Sequence, residues 1–109
     1  MRIYDVALEL VASVCRLSKK VQRHDPDLAR QMKRALASVP LNMQEGLYSQ
    51  GGNRAARFHN AMGSARETMA ALQVAVCAEY LTRAEVEADL DRIDHVVATL
   101  WKLSRRSPR

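Results

Sequence analysis

Apolar residues recur at spacings of three and four along almost the whole chain, and the rhythm does not stop at Pro40. That spacing marks one face of an α-helix, so the chain is confined to packed helices. Leu28, Met32, Ala35, Val39 and Met43 hold one face straight through the proline. Proline removes a helical N–H and clashes with the carbonyl four residues back, at about 3 kcal/mol, so packing must hold the segment. The expected outcome is a helix bent at Pro40 rather than broken there. On another face Arg34, Ser38, Asn42 and Glu45 recur at the same spacings. Carbonyls freed by a bend need donors, and Ser38, Asn42 or an arginine can supply them. Glu45 would then pair with Arg34 or with an arginine of the next helix. This reads as a structural polar stripe. The rival reading, a ligand or catalytic site, lacks partners elsewhere in the chain.

The other helices follow from the same periodicity. Ile3, Ala7, Leu10, Val14, Leu17 and Val21 form the seam of a first helix over 2–23, with Val6, Val11 and Cys15 widening the stripe enough to bury a second surface. Asp25-Pro26-Asp27 supplies a cap, a proline at the first helical position and an acid at the positive helix end. A second helix therefore starts after a tight connection and runs to about 48, with Gly51-Gly52 as its stop. A third is expected over 53–81, on a seam of Phe58, Met62, Ala65, Met69, Leu72, Val76 and Tyr80. Gly63 and Ser64 within it read as a notch facing Pro40. Thr82-Arg83-Ala84-Glu85 spells a capping box, and Val86, Leu90, Ile93, Val97 and Leu100 carry a fourth helix to about 104. Short connections make neighbours antiparallel, so the expected fold is all-α, an antiparallel up-down-up-down four-helix bundle with its second helix bent at Pro40. Residues 1–104 form the single domain and 105–109 a basic C-terminal tail.

The run Ala35-x-x-Ser38-Val39-Pro40-x-Asn42-x-x-Glu45-Gly46, followed by Phe58 and Gly63-Ser64-x-x-Glu67, resembles the small four-helix-bundle family named after the intervening-sequence protein of 23S ribosomal RNA genes. That family includes the accessory protein of diversity-generating retroelements. The resemblance covers nearly the whole chain. It implies an antiparallel four-helix protomer assembled as a ring-like homopentamer, with nucleic-acid binding proposed for the accessory-protein branch. Met43-Gln44 stands where the family more often carries a small apolar pair, and the linker Ser49–Asn53 is less basic than usual in the family.

With 109 residues the chain is long enough for one modest core, and its 48% apolar but only 5% aromatic content suits closely packed helices. Cys15 and Cys77 fall inside apolar helical runs and are expected to be buried free thiols in a reducing compartment. No Cys-x-x-Cys or histidine spacing suggests a metal, and no cofactor is indicated. Asp5 and Glu9 interrupt any signal-peptide core, and no long uncharged stretch suggests a membrane span, so a cytoplasmic protein is expected. His24, His59 and His95 have no histidine four residues away, and no helix carries Glu-x-x-His. The chain reads as a non-enzyme.

The net charge of +5 is unevenly placed. In the expected topology one end gathers Arg2, Arg54, Arg57, Lys102, Arg105, Arg106 and Arg109 against only Asp5 and Glu45, beside Tyr4, Tyr48, Phe58 and Trp101. Arginine with stackable aromatics is the composition of a nucleic-acid surface, which a homo-oligomer would multiply. The competing explanation is that cations at the end of the fourth helix answer its dipole and that the aromatics plug the bundle. The expected function is an oligomeric adaptor that binds RNA or DNA through this end. The alternative is a protein-binding scaffold whose basic end meets an acidic partner.

Overall fold

A computed structural model describes residues 2–106, which form four α-helices: α1 (Arg2–His24), α2 (Pro26–Leu47), α3 (Gly51–Cys77) and α4 (Arg83–Ser104). Each helix packs on its sequence neighbours, and α1 closes the ring against α4, giving a rod of 47 × 22 × 19 Å. The direction of packing is written in cross-helix pairs. Ser13 meets Asp89 and Lys20 meets Glu85, so α1 and α4 run oppositely. Arg57 meets Glu45 while Arg34 and Ser38 share a cleft with Ser64 and Glu67, so α2 and α3 do too.

The helix starts follow the sequence closely. The Asp25 carboxylate accepts from the Leu28 N–H at 3.0 Å, with Pro26 in the first turn. Thr82 and Glu85 satisfy each other's backbone amides, completing the capping box. Helix ends depart from expectation. Gly51-Gly52 does not stop α2; it opens α3, with Gly51 at φ +62°. Helix α3 ends at Cys77, four residues early, because Glu79 takes a left-handed conformation at φ 66°. Tyr80 N–H then reaches the Ala75 carbonyl at 2.9 Å and Glu79 N–H the Val76 carbonyl at 3.0 Å, a Schellman closure built without the usual glycine.

Leu10, Val14, Met32, Leu36, Val39, Met43, Phe58, Leu72, Ile93 and Leu100 are the large side chains at the centre. Between them lie small or polar residues: Ser18, Thr68 and Asp89 are each at most 2% exposed. Ser18 donates to the Cys15 carbonyl at 2.7 Å and Thr68 to the Ser64 carbonyl at 2.9 Å, so neither is left unpaired. The Asp89 carboxylate accepts from the Ser13 hydroxyl at 2.6 Å and from Arg92 at 2.8 Å, which ties α1 to α4 through a buried charge.

Helix α2 is continuous across Pro40, which is itself buried. The expected notch is in the wrong place: Gly63 is exposed, and a Cβ there would meet nothing within 4 Å. The close approach is at Gly46, where a Cβ would fall 2.6 Å from Cε1 of Phe58. Cys77 is exposed, against the expectation of a buried thiol, because it lies on the outward face of α3 with the exposed Ala70, Gln73 and Val74, whereas Cys15 is half-buried against the core. No helix among the described residues is long and apolar enough to cross a membrane.

Candidate nucleic-acid interface

The polar stripe on α2 divides into three separate jobs. Ser38 donates to the Arg34 carbonyl at 3.1 Å, and the Asn42 amide to the Ser38 carbonyl at 2.9 Å. These bonds flank the Leu36 carbonyl, the one that Pro40 cannot serve, rather than capping it. Glu45 reaches Arg57 of α3 at 3.2 Å, the second of its two expected partners. Arg34 and Ser38 border a cleft of about 200 Å³ with Gln31, Ala35, Ser64 and Glu67. The stripe therefore ties α2 to itself and to α3 rather than converging on one point.

The basic end also divides. Arg54 lies over the Phe58 ring at 4.9 Å from its centroid and donates to the Gly46 carbonyl at 3.3 Å. Together with the Arg57–Glu45 pair, this makes two of the arginines a clasp across the α2–α3 turn. Arg2, Lys102, Arg105 and Arg106 are exposed and make no ion pair among the described residues. Arg109 lies outside those residues. The aromatics sort the same way. Phe58 is fully buried and Tyr4 packs on the core, while Tyr48 is 81% and Trp101 49% exposed. Arg105 stands over the Trp101 ring at 5.2 Å, and His59 meets its edge at 6.3 Å.

Helix dipoles distinguish these cations. The ends of α2 and α4 are negative, so Lys102 and Arg105 gain some stability merely by being there. Arg2 occupies the first turn of α1, where the dipole is positive and a cation is disfavoured. Helix-end stabilisation therefore accounts for part of this surface and not for Arg2.

At the opposite end Lys20 bridges to Glu85, and His24 stacks on Tyr80 at 5.1 Å. The Lys20 ammonium, followed by the Thr82 amide, holds the Glu85 carboxyl below its ordinary pKa. Lys20 is the one cation paired across helices there among the described residues; Arg16, Lys19, Arg23 and Arg83 are exposed without ion pairs, as the cations beside Trp101 are, but stand among more acids. Among the described residues no group of three or more His, Cys, Asp or Glu side chains gathers as metal ligands would.

Sequence reasoning missed two features here. Asp89 is absent from the seam that the apolar pattern predicts for α4, although it is buried there. A groove of about 390 Å³ between α3 and α4, running below Trp101 over Met69, Ile93 and Val97, had no signal in the linear pattern. An acid at the three-to-four spacing between Val86 and Ile93 would have exposed the first.

Comparisons with known proteins agree with this architecture. The crystal structure of a protein of unknown function from the S23 ribosomal protein family of Bacteroides thetaiotaomicron superposes with a TM-score of 0.86 at 20% identity, covering 95% of this chain and 99% of that one. At that identity the likeness speaks for the fold alone. No curated protein matches the chain. The model of the 23S rRNA-intervening sequence proteins matches residues 1–102, nearly the full length, and the chain therefore belongs to that family.

Proposed function

We propose that this protein is a non-enzymatic, oligomeric adaptor that binds the backbone of RNA or DNA through the end of the bundle bearing Arg2, Lys102, Arg105 and Arg106. The observation that carries the reading is that these four cations are exposed without ion pairs beside the exposed Trp101 and Tyr48, with Asp5 and the Arg57-paired Glu45 the acids at that end, whereas the cations of the opposite end stand among Asp25, Asp27, Glu79, Glu85, Glu87 and Asp91. Phosphates are the partners that such a surface lacks. The family's own description, tied to an intervening sequence of 23S rRNA, is in keeping with a nucleic-acid partner. The protein would act in the cytoplasm, with Cys15 and Cys77 as free thiols.

Self-association completes the reading. Leu41 is 65% and Leu8 44% exposed. They lie nearly the same distance either side of the Asp25 turn, so they stand at one level of the adjacent helices α1 and α2. Apolar side chains at such positions favour contact with another copy, and the family resemblance suggests a homopentamer. The same residues also favour the second reading, a scaffold that holds a protein partner.

Fluorescence anisotropy with a structured RNA and a DNA duplex across a salt series tests the proposal. Binding should weaken steeply with salt, and an Arg2→Ala/Arg105→Ala/Arg106→Ala variant should lose about 0.7–0.9 of the log–log slope per phosphate contact removed. An unchanged slope in the variant, or no binding by the wild type at low salt, would defeat it and leave the protein scaffold. Light scattering that shows a stable monomer at micromolar concentration would remove the oligomeric part.

A further inference from the structure

The groove between α3 and α4 begins where the basic end stops. Its floor is Met69, Ile93 and Val97, and its mouth is edged by Arg66, Asp94 and Trp101. The volume of about 390 Å³ falls within the range of small-ligand sites, roughly 300–1,000 Å³. Apolar walls with a few polar groups at the rim suit a flat heterocycle, whose faces are apolar and whose edges hydrogen-bond. Arg66 and Asp94 are both exposed and form no ion pair, so one donor and one acceptor are free at the same mouth. Lys102 and Arg105 follow Trp101 along α4 by one and four residues, which sets phosphate-binding groups beside the aromatic ring.

Resting on the basic-end reading, we infer that the α3–α4 groove receives an unpaired nucleobase, which makes the protein prefer single-stranded nucleic acid to duplex. The base lies against Trp101 with its edge towards Asp94 and Arg66, and its flanking phosphates sit on Lys102 and Arg105. Asp94 accepts from a base amino or imino group, and Arg66 donates to a base carbonyl. A duplex keeps its bases stacked inside and cannot use the groove, although its phosphates can still meet the arginines. Because a duplex carries the denser charge, phosphate contact alone would favour it. A preference for the single strand therefore reports the groove.

Trp101 is the chain's single tryptophan and serves as the reporter. An unstructured RNA oligonucleotide and its length-matched duplex are titrated into the full chain, following Trp101 emission and the anisotropy of a labelled strand. The single strand should bind more tightly and quench the emission, and the duplex should do neither. Trp101→Leu should weaken single-strand binding by about 5- to 150-fold, the usual range for a lost base–aromatic stack, and duplex binding far less, since there only the seating of Arg105 changes. Ala98→Leu, which fills the groove from an exposed position and keeps the tryptophan, should abolish the quench in a protein whose melting temperature is unaltered. Equal binding of strand and duplex without quenching would overturn the groove assignment and leave the basic end standing. Binding of neither would overturn both. An emission shift on diluting the protein alone would assign the groove to a second copy of the chain, and would overturn the inference as well.

Discussion

Replacing Gly46 and Gly63 by alanine, one at a time, should move stability in opposite directions. At Gly46 the new Cβ would lie 2.6 Å and 2.7 Å from two ring carbons of Phe58. Carbon atoms pack comfortably at about 3.5–4.0 Å, so the ring must retreat by roughly 0.9 Å. It has little room: Phe58 is fully buried and Arg54 lies over its face at 4.9 Å. Overpacking of this kind costs about 1–3 kcal/mol, against a helix-propensity gain of at most about 1 kcal/mol, smaller here in the last turn of α2. The net loss is about 1–2 kcal/mol, or roughly 4–12 °C in Tm for a domain of this size. At Gly63 the Cβ would meet nothing within 4 Å, and alanine should stabilise by about 0.5–1 kcal/mol. Thermal and urea melts at one fixed protein concentration measure both, since self-association would otherwise shift the midpoint. Phe58→Leu in the Gly46→Ala background should cost less than Phe58→Leu alone, because the clash leaves with the ring. If Gly46→Ala melts at or above the wild type, the Phe58 contact does not constrain α2.

Asp89→Ala should destabilise by about 1–3 kcal/mol, because Ser13 loses its acceptor while the part-exposed Arg92 can turn to water, and Asp89→Asn should cost less by retaining a partner for Ser13; chemical denaturation ranks the two. Glu45→Ala should cost under about 1 kcal/mol, since the Arg57 pair is exposed on both sides and surface pairs are weak, and an equilibrium urea melt is sensitive enough to see it. Glu85 has its folded pKa depressed, so the stability it adds is present above the unfolded carboxylate pKa and is lost as pH falls through the folded one. Glu85→Gln should flatten that acid-side loss in Tm-versus-pH curves. Native thiol titration should label the exposed Cys77 rapidly and the half-buried Cys15 slowly; equal rates would contradict the burial of Cys15.

Periodicity made the helices legible because every seam residue read from the sequence touches the core. Most of those residues are buried, and the reading slid by one at single positions only. The periodicity favours Leu17 and Met69, whereas Ser18 and Thr68 are the more deeply buried neighbours. Hydrophobicity favours the larger side chain, but close helix packing puts small residues at the contact and leaves long ones to flank it. Asp89 was invisible for the same reason: the pattern slid to Leu90 to avoid a charge. Caps were legible where they rest on local chemistry, as at Asp25 and Thr82. The end of α3 was not, since it depends on Glu79 adopting a left-handed backbone that sequence assigns to glycine. The basic end was legible as composition only. Which of its arginines are engaged depends on Phe58, Gly46 and Glu45 across the α2–α3 turn.

The Ser13–Asp89 bond has a bearing on the order of assembly. Three of the four helix contacts join sequence neighbours through short turns, whereas α1 and α4 meet only after the chain has come full circle. That seam carries the largest loop-closure entropy and should form last. A purely greasy seam tolerates sliding by one turn, as any apolar ridge finds another groove. A carboxylate at 1% exposure does not, because a slipped register would strand it among aliphatic side chains. Asp89 thus acts as a proofreading residue for the closing step, penalising circles joined out of register more than it strengthens the correct one.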